Sequence, residues 1–139
     1  MATDPVPVRL DEQAASGLAH IVQQYLVQDL AEFEKKRRQA VRMRGRIAMS
    51  ASDQDTSVTL DFRGDEIVIF DGECAPLDSS INGSYQALLR LLQGRANPLV
   101  EHLRGRLRVR SRPRRLFLPL RLHRLMKLTT EGNHAGRQV

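Results

Sequence analysis

The chain is 139 residues long and 41% hydrophobic, with 22 lysines and arginines against 16 acidic residues, a net charge of +6 and one cysteine. That length and apolar content suit a single domain with its own core and exclude disorder throughout. The lone Cys74 excludes an intramolecular disulfide; with no secretory-signal pattern and no apolar run near the ~20 residues a bilayer crossing needs, the expected setting is cytoplasmic, with membrane contact only at the periphery.

Residues 1–10 carry Pro5 and Pro7 but no periodic pattern, and are expected to be a flexible lead-in to a domain spanning 11–128. From Asp11, a plausible cap, Ala14, Leu18, Ile21, Val22, Tyr25, Leu26, Leu30 and Phe33 recur at three- and four-residue spacing. That stripe predicts one long amphipathic helix, whose basic end from Lys35 to Arg38 suits the helix dipole. At Val41 the period changes to two. Val41, Met43, Ile47 and Met49 alternate with Arg42, Arg44, Arg46 and Ser50, predicting a strand with one apolar and one basic face, in which Gly45 is a bulge or a close-packing point. Val58, Leu60 and Phe62 mark a second strand, Arg63-Gly64-Asp65 a tight turn, and residues 66–70 a third, giving an antiparallel meander.

The stretch from Ser80 to Arg110 carries the clearest punctuation and reads as strand, helix, helix, strand. Ile81 closes an extended piece, and Ser84 is placed to cap a helix in which Leu88, Leu91 and Leu92 share a face. Gly94 suits the left-handed ending of that helix, and Asn97-Pro98 starts a second, with Leu99, Val100 and Leu103 facing inward and Gly105 stopping it. Arg106, Arg108 and Arg110 then alternate with Leu107 and Val109 as a strand with one cationic face. Pro113 keeps residues 111–115 irregular. A last helix runs from Pro119 to about Leu128, with Leu118, Leu122, Leu125 and Met126 on one face; Phe117, Leu120 and Leu128 lie among the charges of the other. Residues 129–139 are expected to be a disordered tail.

The succession Ile81, Asn82-Gly83-Ser84, Leu88-Leu89-x-Leu91-Leu92-x-Gly94, Asn97-Pro98-Leu99-Val100, Leu103-x-Gly105-Arg106-Leu107-x-Val109 resembles the C-terminal half of type-two sterol carrier protein domains, the likeness running from about residue 41 to 125. The resemblance implies an α+β fold: a five-stranded, mostly antiparallel sheet covered on one face by helices, enclosing an apolar tunnel for lipids such as sterols or fatty acyl chains, with the last helix often closing it. Carried over to this chain, the tunnel wall comprises Leu60, Phe62, Ile67 and Ile69 from the sheet and Leu88, Leu92, Leu99 and Leu103 from the central helices. Leu107 and Val109 from the last strand and Leu118, Leu122 and Leu125 from the closing helix complete it. Each also serves as ordinary core. Where family members commonly carry Gly and an acidic or amide residue after the last strand, this chain has Ser111-Arg112-Pro113-Arg114-Arg115.

Between Glu101 and Glu131 no acidic residue occurs. Arg108, Arg110, Arg112, Arg114, Arg115, Arg121, Arg124 and Lys127 fall there, and a one-signed segment beside an amphipathic helix suits an anionic membrane surface, with each cation near it contributing roughly 1 kcal/mol. The other reading leaves those groups hydrated while the leucines pack on the sheet. A basic nucleic-acid-binding protein is the alternative from another class; Phe117 is the only aromatic residue in the basic region, so base stacking is poorly provided for. His20, His102, His123, His134 and Cys74 are too scattered for a metal site or a nucleophile and its base, and the glycines match no phosphate loop, so neither enzyme activity, cofactor nor metal is expected. The partner expected is a hydrophobic small molecule or lipid, carried or presented to enzymes as quinone-biosynthesis members of the resembling family are thought to do.

Overall fold

A computed structural model of the chain describes residues 6–127. Its sheet grows from the alternations in the sequence: Ile47 lies beside Leu60 and Leu60 beside Ile69, so one apolar row crosses three strands. The strands are β1 (Val8–Leu10), β2 (Gly45–Ala51), β3 (Thr56–Phe62), β4 (Ile67–Asp71), β5 (Ser79–Gly83) and β6 (Leu107–Ser111), in the order β1-β4-β3-β2-β5-β6. The meander β2-β3-β4 and the pair β5/β6 are antiparallel; β1/β4 and β2/β5 are parallel.

The helices are α1 (Gly17–Glu32), α2 (Glu34–Val41), α3 (Tyr85–Leu92), α4 (Pro98–Leu103) and α5 (Leu118–Met126). α1 rests on β1, β3 and β4, and α3 on β2 and β5, while α5 crosses β2, β5 and β6 and touches all four other helices. Their buried side chains join Ile47, Met49, Leu60, Phe62, Ile69 and Ile81 in one cluster. The α+β class is as expected, with six strands rather than five.

The additional strand lies in the predicted lead-in. Pro7 offers its carbonyl to Ile67 N–H at 2.9 Å, and Asp11 N–H reaches Ile69 O at 2.8 Å, so the chain is held on both sides of β1. Three residues are too few to display an alternation, and a proline, lacking an N–H, fits the start of an edge strand.

The long predicted helix is two. Ser16, not Asp11, caps α1, its Oγ accepting Ala19 N–H at 3.0 Å. Phe33 takes extended backbone (φ −124°, ψ 110°), and α2 restarts after it. No glycine or proline marks this break. Lys36 turns inward there, its Nζ 4.9 Å from the Phe33 ring centroid and donating to the backbone oxygen of Lys127 at 2.8 Å, a tertiary contact.

The strand expected from Val41 starts only at Gly45, because Arg42 is still in the helical region and Met43 N–H bonds to Ala40 O at 3.0 Å. Gly45 is the close-packing point. A Cβ there would stand 2.8 Å from Asp78 Oδ2, and φ is +124°.

α4 faces the other way from its prediction. Pro98 and Glu101 are buried, whereas Leu99 and Leu103 are 48% and 85% exposed. Six residues do not define a face by periodicity; polar bonds orient this helix instead. Asn97 Oδ1 accepts Leu99 N–H at 2.9 Å, His102 Nδ1 accepts Val109 N–H of edge strand β6 at 3.0 Å, and Glu101 pairs with Arg106 at 3.5 Å. Leu128 and the tail predicted for 129–139 lie outside the described residues.

Candidate functional site

Of the thirteen wall residues expected, ten are brought together. Leu60, Phe62, Ile67 and Ile69 from the sheet, Leu88 and Leu92 from α3, Leu107 from β6 and Leu118, Leu122 and Leu125 from α5 are buried in one apolar layer, and Val109 is partly buried against it. Leu99 and Leu103 are corrections: they point away from the layer. Local chemistry sets each contribution. Ser84 Oγ accepts Ala87 N–H at 3.1 Å, fixing where α3 begins and so which leucines point down. Pro119 occupies the first turn of α5, where a missing N–H is harmless. Fully burying a leucine contributes roughly 1.5–3 kcal/mol, so this layer stabilises the fold whatever else it does.

Between α1 and α3 a crevice of about 410 Å³ opens on the surface, lined by Ile21, Gln24, Tyr25, Gln28, Leu89 and Gln93. Ile21 and Tyr25 also pack against the core cluster. No charged side chain lines it. The sequence carried a signal for this feature: Ile21 and Tyr25 stand at the margin of a drifting stripe, and Leu89 lies off the buried face of α3.

The cationic residues do not form one surface. Arg108 and Arg110 alternate with inward Leu107 and Val109 and are exposed on the far side of β6. Arg114, Arg115 and Arg121 instead surround a cleft of about 330 Å³, joined there by Arg42 and Arg44 from the turn between α2 and β2. An adjoining cleft of about 290 Å³ is lined by Gln39, Arg42, Met43, Arg121 and Arg124. Arg112 and Lys127 are exposed before the last 3₁₀ turn (Pro113–Arg115) and after α5. The part played by Arg42 and Arg44 was hidden, since a period-two reading assigns them to a strand face. Burial first, then Lys127 and Arg124, pushes the half-buried His123 of α5 below its ordinary imidazole value.

The carboxylates of the meander are structural. Asp61 is paired with Arg63 at 3.0 Å and Arg46 at 3.3 Å, and Glu66 with Arg63 at 3.2 Å and Arg9 at 3.3 Å. Hydrogen bonding to Arg9 is the largest influence on Glu66, which is held below its usual range. Among the described residues, no group of His, Cys, Asp and Glu is arranged to hold a metal, and no helix is long and apolar enough to cross a membrane.

Comparison with solved structures places this architecture. A UbiJ-SCP2 ubiquinone synthesis protein superimposes with a TM-score of 0.63 at 15% identity, covering 78% of this chain and 92% of that one. A sterol carrier protein 2 gives 0.54 at 22% identity over 78% and 94%, and palmitated SCP2L2 from Aedes aegypti 0.55 at 11% over 81% and 95%. These likenesses show the fold. No curated protein matches the chain significantly. The SCP-2 sterol transfer family matches residues 24–110, well over half the sequence, and the chain belongs to that family.

Proposed function

We propose that the protein binds or transfers, without catalysis, one hydrophobic ligand of the lipid class: a sterol-like, fatty acyl or isoprenoid molecule lying between the helices and the inner face of the sheet. The observation that carries this reading is the uncharged crevice between α1 and α3, whose apolar lining residues Ile21 and Tyr25 are partly buried and pack against the core. Its volume falls in the range of small-molecule sites, and glutamine amides at its edge suit a ligand with a modest polar end. The wall residues are already packed, with Leu60, Leu88, Leu122 and Leu125 at 0% exposure, so a guest enters by shifting a helix rather than by filling a vacant tunnel. α5 follows the arginine-rich 3₁₀ turn Pro113–Arg115 and supplies much of the layer from its own face, so a guest must displace part of it.

Docking on an anionic membrane belongs to the same proposal. Leu116 and Phe117 are 58% and 62% exposed beside Arg114, Arg115 and Arg121, a combination of apolar insertion and cationic contact that suits a bilayer surface. Arg112, Arg124 and Lys127 add to the attraction, whereas Arg108 and Arg110, on the far side of β6, are left outside this contact. A second reading, presentation of a lipophilic intermediate to enzymes, is favoured by the likeness to the ubiquinone synthesis protein.

Native mass spectrometry of the purified protein tests both readings. A co-purified acyl or sterol-like mass supports the first and an isoprenoid phenol the second. Tight oligonucleotide binding at moderate salt with no lipid would replace both with the nucleic-acid alternative.

A further inference from the structure

We propose that the two adjoining arginine clefts form one site for a phosphate or diphosphate group of a small molecule. The site is assembled from segments far apart in the chain. Arg42 and Arg44 come from the turn after α2, and Arg115, Arg121 and Arg124 from the C-terminal region; Arg42 and Arg121 line both clefts.

No carboxylate lines either cleft, and among the described residues none of these arginines forms an ion pair. The charge is therefore not consumed within the fold. Asp78 is the acidic group near Arg115, both approaching Gly45, but its Oδ2 accepts the Arg46 N–H at 2.9 Å and makes no ion pair with Arg115. Like charges gathered in a concavity repel one another, and the arrangement gains most from an anion that several guanidinium groups share.

Two details point to an oxyanion in particular. Arg115 Nε is buried without a hydrogen-bond partner among the described residues, so a donor is left to be satisfied. The first turn of α5 also has no acidic residue and no side-chain cap at Phe117, so the positive end of this nine-residue helix, whose Phe117 and Leu118 line the cleft, has no anion of its own beside it. Arg44 is held in place by bonds to Val41 O at 2.8 Å and Met43 O at 3.0 Å and by packing against Gly64. Guanidinium forks match the paired oxygens of phosphate, whereas a single carboxylate would leave most of these donors unused.

This inference stands apart from the apolar-ligand proposal, because no wall residue except Leu118 takes part; it shares Arg115 and Arg121 with the proposed membrane contact and deepens that reading, so its test uses a soluble phosphate in place of a bilayer. The test is titration of the whole protein with sodium pyrophosphate at low ionic strength, followed by calorimetry and by the arginine Nε–H resonances. The expected result is saturable binding near one equivalent, with shifts at Arg42, Arg44, Arg115 and Arg121. Arg42→Gln/Arg121→Gln should weaken it by at least about ten-fold, since both exposed guanidiniums serve the shared region. Arg90→Gln/Arg95→Gln, which alters neither cleft, should leave it unchanged. A parallel arm uses dihexanoyl phosphatidic acid, with dihexanoyl phosphatidylcholine as its control. Comparable binding of pyrophosphate and phosphatidic acid means that free phosphate suffices; binding of phosphatidic acid alone, with the same loss in the double variant, assigns the phosphate to a lipid. Absence of saturable binding by both, or equal affinity in wild type and Arg42→Gln/Arg121→Gln, overturns the proposal.

Discussion

Lys36 Nζ donates to the backbone oxygen of Lys127 at 2.8 Å, joining α2 to the end of α5 across 91 positions of sequence. The same ammonium stands 3.5 Å from Asp29 Oδ1 of α1, so one buried cation ties three helices together. Desolvation is the largest influence on both partners and outweighs their mutual attraction: Lys36 is pushed below its usual value and Asp29 above its own.

Lys36→Met alone should therefore destabilise the protein by roughly 1–3 kcal/mol, because it strands the Lys127 carbonyl and leaves Asp29 unpaired. Asp29→Leu/Lys36→Met should recover the part of that loss due to the unpaired Asp29, leaving the share of the Lys127 carbonyl. Urea unfolding of both single variants and the double variant checks this; strictly additive losses would contradict it. The pH dependence has a defined sign. A folded-state Lys36 value below 10.5 means that the unfolded chain binds more protons between the two values, so its contribution to stability rises with pH across that window. The raised Asp29 value makes its contribution fall as pH climbs from 3.8 through the folded value.

Asp71 gives the opposite acid behaviour. Desolvation raises it, but N–H donation from Ala15 at 2.7 Å and Ser16 at 3.2 Å wins, and its value is lowered overall. Its contribution is present above 3.8 and is lost as pH falls through the folded value, so Asp71→Asn should lose about 1 kcal/mol at neutral pH and show a shallower acid limb than wild type. Thermal unfolding between neutral and strongly acidic pH measures both effects.

Leu103→Ser and Leu122→Ala separate the two kinds of leucine. Leu103 is 85% exposed and its replacement should change stability by less than about 0.5 kcal/mol, whereas truncating Leu122, at 0%, should cost roughly 2–5 kcal/mol. Equal losses in chemical denaturation would mean that α4 packs as the sequence suggested.

Periodicity and caps made much of this legible. Ser84, Asn97 and Pro98 act as read, Val58, Leu60 and Phe62 all join the apolar cluster, and the apolar face of α5 lies where the spacing put it. What stayed hidden depends on partners distant in sequence. β1 exists because β4 offers it an edge, and the break at Phe33 accompanies the inward turn of Lys36 onto the distant Lys127 carbonyl. α4 is turned by His102 and Asn97, not by its leucines. The arginine clefts required Arg42 and Arg121 to meet, and no spacing rule relates residues so far apart.

Occupancy of the interior by a lipid is most directly measured by titrating a fluorescent fatty acid into the protein while following leucine and isoleucine methyl resonances. The account predicts one saturable equivalent, with shifts at Ile21, Leu60, Leu88, Leu122 and Leu125. Saturation absent in folded protein, or shifts confined to exposed Leu99, Leu103 and Leu116, would contradict it.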